Sequence, residues 1–308
     1  MTSASRTSSA PSPLDPEVLD RLSGLELKAR RIVEGYVSGL HKSPFHGFSV
    51  EFAEHREYVP GDDIRFLDWK VYGKTDRLYL KRYEEETNLE ASLLVDTSAS
   101  MGFSDAEGRG LSKLAYARMG AAALAYLITQ QQDAAGLVLF DSQVRTQLPA
   151  RTGPGHLRAV FQRLEEARPE GTTGVGRALV EAGEAVRRRG VVALFSDLLD
   201  DPREVLRGLR HLRQRGHDVL LFHVLAHEEL TFPFQRMTRF EGLELADRVT
   251  ADPVSLRAAY LAEVEAFRRT LRRSCLANRI DLVEMDTSQP LAVVLAAYIA
   301  QRAARRRA

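Results

Sequence analysis

The sequence predicts an α/β protein: a doubly wound, mostly parallel sheet with helices on both faces, preceded by a small N-terminal helix and a β appendage. Three observations carry this. From about residue 90, short and nearly continuous apolar runs alternate with amphipathic helical patterns, as in a parallel sheet covered on both faces. Two of those runs stop at an aspartate, Asp96 and Asp197. A short extended piece near 143–148 directly follows the second run, which predicts one antiparallel edge.

Residues 1–14 are Ser, Thr, Ala and Pro, a composition that cannot support a core, so a disordered tail is expected there. Asp15 and Pro16 form an N-cap and first-turn pair. Val18, Leu22, Leu25, Ala29, Ile32, Val33 and Tyr36 then recur at helical spacing, predicting a first helix that ends near Gly39. Two strand-like pieces, "GFSVEFAEHREYV" and "RLYLKRYEEE", flank a turn built on Pro60-Gly61-Asp62-Asp63, in a stretch that holds the sole tryptophan, Trp69. Residues 15–89 are therefore read as helix plus appendage and 90–308 as the main domain.

Within the main domain the strands are expected at 91–95, 135–140, 191–195, 218–224 and 280–285. The helices are expected near 112–131, 153–167, 175–189, 202–215 and 253–275, with a last one from 289 to 305. Residues 231–250, "TFPFQRMTRFEGLELADRVT", read as an irregular insertion containing a hairpin.

Composition narrows the function classes. Lys plus Arg is 43 against 42 Asp plus Glu, so bulk charge favours no class of partner. The basic end, Arg302 with Arg305, Arg306 and Arg307, reads as the solvated end of the last helix, the other reading being contact with nucleic acid or acidic lipid. The single cysteine, Cys275, excludes an internal disulfide and argues for a reducing compartment. It falls in a helical pattern as a core residue. No apolar stretch approaches the roughly 20 residues of a membrane helix, and the start lacks the apolar segment of a secretion signal. A cytoplasmic protein without membrane insertion or nucleic-acid partner is expected.

In an open sheet of this kind, ligands bind beyond the carboxyl ends of the strands, where strand order reverses. Asp96 is the first residue past the first strand of the alternating region, and Ser98 and Ser100 follow at alternate positions. Thr173, with Thr172 as its neighbour, lies in a Gly-rich loop before a helix, and Asp197 ends another strand. Asp96, Ser98, Ser100, Thr173 and Asp197 are all hard oxygen donors, with no His or Cys among them. That disfavours zinc and points to Mg²⁺ or Mn²⁺.

Asp96-Thr97-Ser98-Ala99-Ser100 resembles the D-x-S-x-S signature of the von Willebrand factor type A (vWA) fold, a Rossmann-like doubly wound sheet. Thr173 and Asp197 match its later Thr and Asp elements, and the spacing from Thr173 to Ala178-Leu179 fits better than that from Thr172. The resemblance implies a metal-ion-dependent adhesion site (MIDAS). The two serines and the threonine would bind the metal directly, one or both aspartates would act through water, and a partner's carboxylate would fill an open position. One departure is Leu198 after Asp197, where many such domains have Gly.

A second resemblance covers nearly all of the chain after the tail. Residues 54–86 hold His55-Arg56, Tyr58, Pro60-Gly61-Asp62-Asp63, Arg65, Asp68-Trp69, Arg77-Leu78 and Glu84-Glu85-Glu86. They look like the hallmark segment of the domain of unknown function 58 (DUF58) family, whose members join it to a vWA domain. The resemblance implies a non-enzymatic adaptor or cofactor role beside a MoxR-type AAA+ ATPase. Many relatives carry membrane helices before this segment. Without the family, the segment is a polar network around one aromatic, holding the appendage to the sheet. The sharper reading makes Arg56, Asp62, Asp63, Arg65, Asp68 and Trp69 a docking surface.

The rival function is an Mg²⁺-dependent hydrolase or phosphotransferase using Asp96. It needs a further acid–base group and a cation for phosphate, for which Asp105 and Lys113 are available only if their loop folds back. "GFSDA" misses the nucleophile elbow because its last residue is Ala106. "GLHKSPFHG" lacks P-loop spacing, and "AHEEL" lacks the second His of a zincin. His223 falls in a strand and reads as a core or edge residue.

Overall fold

The computed structural model describes residues 24–39, 55–57, 73, 79–81, 89–105, 110–244, 247–295 and 297–298. Compact units separate along the chain: residues 43–88 form one, and 1–42 with 89–308 form the other. In the smaller unit two short strands, β1 (His55–Glu57) and β2 (Tyr79–Lys81), pair antiparallel with Arg56 opposite Leu80. They belong to the two strand-like pieces expected either side of the turn. Arg56 lies on β1, whereas Asp62, Asp63, Arg65, Asp68 and Trp69 lie outside the described residues, as do the tail and the basic end.

Helix α1 (Leu25–Gly39) falls in the larger unit, which corrects the grouping of 15–89 as one piece. The reason is its apolar stripe. Leu25, Ala29, Ile32 and Val33 are buried, and Leu25 N–H donates to Glu165 Oε1 at 2.5 Å.

The large unit holds a six-stranded sheet. Its strands are β3 (Glu90–Asp96), β4 (Ala134–Phe140), β5 (Val144–Arg151), β6 (Val191–Ser196), β7 (Asp218–Leu225) and β10 (Asp281–Asp286), in the spatial order β10-β7-β6-β3-β4-β5. All neighbours are parallel except β5, which returns antiparallel on β4. The five parallel strands fall within one residue of the ranges read from the sequence, because apolar runs buried on both faces leave little room for misplacement. Leu93 pairs with Leu137 on one side and Ala193 on the other, which makes β3 central.

Helices cover both faces. On one face α4 (Val175–Ala185), α5 (Pro202–Gln214) and α7 (Pro253–Ala277) cover Leu94, Leu194 and Leu221, contributing Leu179, Leu209 and Leu271. Helices α4 and α5 approach closely at Gly176, where an added Cβ would stand 2.6 Å from the backbone of Glu204. On the other face lies α2 (Lys113–Gln130), whose run of alanines is buried, with α3 (Pro154–Glu166) beside it. Arg118 of α2 donates to the carbonyl oxygens of Leu164, Glu165 and Ala167 at the end of α3. Helix α4 stops at Ala185 rather than near 189, because Val186 turns to extended geometry. Past β7 come a short helix, α6 (His227–Thr231), and a hairpin of β8 (Thr238–Glu241) and β9 (Arg248–Ala251) within the predicted insertion.

Cys275 is buried in α7, and burial pushes its thiol up to about 12, so it stays protonated and inert. His223 is buried in β7. No helix among the described residues is long and apolar enough to cross a membrane.

Candidate metal centre

Chain order runs from β3 outward to β4 and β5, then crosses back to β6 on the other side of β3. The order therefore reverses between β3 and β6, where Asp96 ends β3 and Asp197 directly follows the last residue of β6. Both are buried.

The chain leaves β3 under tight control. Thr97 donates its N–H and its hydroxyl to the Phe140 carbonyl, at 2.7 and 2.9 Å. Ser98 N–H donates to Asp96 Oδ1 at 2.9 Å, a local turn that competes with strand continuation. A 3₁₀ turn, Ala99–Gly102, follows. The threonine loop is tied to this turn twice: Ala99 N–H donates to Gly171 O at 3.0 Å, and Glu170 N–H donates to Thr97 O at 2.8 Å. Glycine is required at 171, where φ is +78° and a Cβ would meet Asp141 Oδ2 at 2.5 Å.

Three hydroxyls converge as a result. Ser98 Oγ lies 3.1 Å from Ser100 Oγ, and Ser100 Oγ lies 3.4 Å from Thr173 Oγ1. Thr172 is exposed. An Mg²⁺ ion held octahedrally at about 2.1 Å places neighbouring oxygens about 3 Å apart, close to the spacing of this trio. The donor set thus fits a small hard cation. Among the described residues no three His, Cys, Asp or Glu side chains are grouped to hold a metal, so any such site relies on hydroxyls.

The aspartates stand behind the hydroxyls with their oxygens engaged. Asp96 Oδ2 accepts from Ser196 Oγ at 2.6 Å, and that serine's oxygen in turn accepts from Leu198 N–H at 2.9 Å. Burial, then repulsion from Asp197, pushes the Asp96 carboxyl up to about 7 against the opposing bonds from Ser196 and Ser98. Asp197 Oδ2 accepts from Lys113 Nζ at 2.7 Å, and its Oδ1 accepts from Leu199 N–H at 3.3 Å. Its backbone carbonyl is 3.1 Å from His223 Nε2.

Lys113, Ser196 and Glu244 complete the site and were not among its predicted members. Lys113 is wholly buried and donates to Glu229 Oε1 as well, again at 2.7 Å. Burial alone would lower its pKa, but the charges of Asp197 and Glu229 outweigh burial and raise it. The lysine is therefore a permanent cation built in beside Asp197. Glu244, from the hairpin, accepts from Thr173 N–H at 2.8 Å through Oε2 and from the Thr173 hydroxyl through Oε1. Leu198, at the position of the missing glycine, adopts φ +57° with its side chain buried. The left-handed conformation is thus kept without the residue that adopts it freely, at a cost of about 1–2 kcal/mol.

The family described as "Protein of unknown function DUF58" matches residues 54–270. Uncharacterised proteins of Mycobacterium tuberculosis and Mycobacterium bovis are each 30% identical over 274 residues, covering 87% of this chain and 81% of their own. Among solved structures, an aerotolerance-related membrane protein from Bacteroides fragilis aligns over 69% of this chain and 99% of its own, at 18% identity and a TM-score of 0.44. The VWA domain of SpRpn10 aligns over 68% of this chain and 94% of its own, at 12% identity and a TM-score of 0.39.

Proposed function

The chain belongs to the DUF58 family, with a vWA-like fold in its larger unit, and from that premise we propose a metal-dependent protein-interaction module. Ser98, Ser100 and Thr173 hold a Mg²⁺ or Mn²⁺ ion, with Asp96 and Asp197 supporting it from behind. The bound ion supplies an electrophilic contact for an Asp or Glu carboxylate of a partner. The partner class follows from the family resemblance: a MoxR-type AAA+ ATPase, or the client it remodels, with this chain as adaptor.

One observation carries the reading. Three neutral hydroxyls meet at 3.1 and 3.4 Å, while both aspartates are already hydrogen-bonded by the protein. Neutral donors fix a cation without cancelling its charge, which leaves it able to attract an acid from outside. The residues this chain contributes are therefore positioning groups. Ser196 and the Ser98 N–H orient Asp96, and Lys113 with the Leu199 N–H orients Asp197.

The phosphotransfer alternative finds less support. Attack by Asp96 needs its carboxylate presented to a substrate, and Asp96 is fully buried with both oxygens bonded by the protein. Lys113 reaches the site, but its charge is matched by Asp197 and Glu229 rather than offered to a phosphate.

Calorimetric titration with Mg²⁺ and Mn²⁺ tests the reading, together with capture of a co-expressed MoxR-type ATPase in Mg²⁺ and in EDTA. The expected result is metal binding lost in Ser98→Ala/Ser100→Ala and capture that depends on metal. Capture unchanged by EDTA and by the double substitution would overturn it.

A further inference from the structure

The hairpin places an acid of this chain where the reading above puts an acid of the partner. Both oxygens of Glu244 sit on Thr173, one on its N–H and one on its hydroxyl, across 71 positions of sequence. Among the described residues no lysine or arginine forms a salt bridge with Glu244, so the hydroxyl end of the site is what holds it. We propose that Glu244 is a tethered acid that closes the metal site, filling the position an incoming carboxylate would take, so that an external acid binds by displacing it. This rests on the metal-binding reading of the preceding subsection.

The hairpin is built for that role, firm at its base and loose at its tip. Phe232 is buried and packs on Phe234, Phe240 and Tyr260, with ring centroids 5.1, 5.9 and 4.5 Å away. Arg257 donates to the carbonyls of Phe232 and Phe234 at 3.0 and 2.7 Å, fixing where the hairpin leaves the core. Pairing of β8 with β9 then runs from Thr238–Ala251 to Glu241–Arg248. Gly242 N–H donates to Asp247 O at 2.8 Å beyond it. At the tip Leu243 is exposed, at 53%, and on β9 beside it Val249 is exposed, at 59%. Lifting Glu244 therefore breaks its contacts to Thr173 without opening a core. A tethered group of this kind competes at an effective concentration of roughly millimolar. A lone carboxylate in dilute solution loses that competition, whereas a partner with additional contacts wins it.

The test uses the full chain with Mn²⁺ and follows water-proton relaxation, which reads the exchangeable water on the bound ion. Acetate is the external acid. In the wild type, Mn²⁺ binds and millimolar acetate leaves the relaxation unchanged. In Glu244→Ala a water molecule replaces the carboxylate, so relaxation per bound ion rises, and acetate reverses the rise. Mn²⁺ affinity falls roughly 10-fold in the same variant, the range for losing a supporting ligand. Glu244→Gln keeps the side chain's size but removes the charge and leaves one acceptor oxygen where Glu244 uses two, and it shows the same pattern. Wild-type binding with identical relaxation and acetate response in both variants overturns the tethered acid and leaves the metal site standing. No Mn²⁺ binding in the wild type overturns the metal site, and the tethered acid with it.

Discussion

Replacing Lys113 with methionine isolates the charge that the structure buries beside the candidate metal centre. Lys113 is wholly buried and makes two ion pairs of 2.7 Å, to Asp197 and to Glu229. Methionine keeps most of the aliphatic stem, so little cavity is created and the change is chiefly electrostatic. Without the ammonium, Asp197 keeps only the 3.3 Å bond from Leu199 N–H on its side chain, in a place that is 1% exposed. Glu229 loses less, because its side chain is 19% exposed and still accepts from Ala226 N–H at 2.8 Å. Breaking a buried pair by removing one partner costs about 3–5 kcal/mol. For a domain of this size that lowers Tm by about 10 °C. Urea unfolding in EDTA, with matched m-values, measures the difference. Adding Asp197→Asn to Lys113→Met removes the stranded charge and should recover more than half of the loss. A loss below about 1 kcal/mol, or no recovery in the double variant, would refute the assignment of Lys113 as counter-charge to Asp197.

Ser98→Ala/Ser100→Ala should unfold within about 1 kcal/mol of wild type in EDTA, since the two hydroxyls bond chiefly to each other, yet lose Mg²⁺-dependent stabilisation. Thermal melts with and without Mg²⁺ check both halves. At Leu198, which is buried at φ +57°, both Leu198→Ala and Leu198→Gly lose the side chain, but only glycine relieves the backbone. The glycine variant should therefore be the more stable of the two by about 1 kcal/mol in urea unfolding, the reverse of their usual order. Acid acts on two buried groups in opposite directions. Burial lowers His223 to about 4 against roughly 6.5 when unfolded, so the unfolded chain takes the proton first and stability falls between those values, by about 3 kcal/mol. Asp96, raised to about 7, is protonated first in the folded state and adds stability as pH falls below that value. Asp96→Asn removes only the second effect, so urea midpoints in EDTA should fall more steeply from pH 6.5 to 4 in that variant than in wild type.

What could be read from the sequence follows the range of the interactions involved. Strands β3, β4, β6, β7 and β10 declare themselves because each is a short apolar run, and Asp96, Ser98 and Ser100 declare themselves because one strand end carries all three. Thr173 could be proposed because a Gly-rich loop before a helix marks the same rim. Lys113 was named only as a cation for the rival phosphate chemistry, and nothing local marked it as buried beside Asp197. A lysine at the first position of a helix ordinarily reads as solvated, and its burial depends on acids 84 and 116 positions away. Glu244 is one acid in an irregular insertion, and only the hairpin's path brings it to Thr173. The placement of α1 was missed for a related reason: its apolar stripe predicts a buried face but not which unit covers it. Leu198 is the instructive middle case. The absent glycine was visible, yet the loop's conformation survives because Ser196 Oγ holds the Leu198 N–H and the core holds the side chain.

The charges at this rim bear on how one acid could exchange for another. Lys113 pairs with Asp197 and Glu229, Asp96 is bonded by Ser98 and Ser196, and Glu244 sits on Thr173, while Ser98, Ser100 and Thr173 supply only neutral oxygens. Carboxylates in such excess favour a divalent cation, and they favour it without lying in the hydroxyl trio that would touch it. Replacing Glu244 by a partner's Asp or Glu then leaves the local charge unchanged, because one carboxylate leaves as another arrives. Electrostatic cost is nearly the same on both sides of the exchange. What decides it is the tether's effective concentration against the partner's remaining contacts, a balance that hairpin length and tip sequence can tune without altering Asp96, Ser98, Ser100, Thr173 or Asp197.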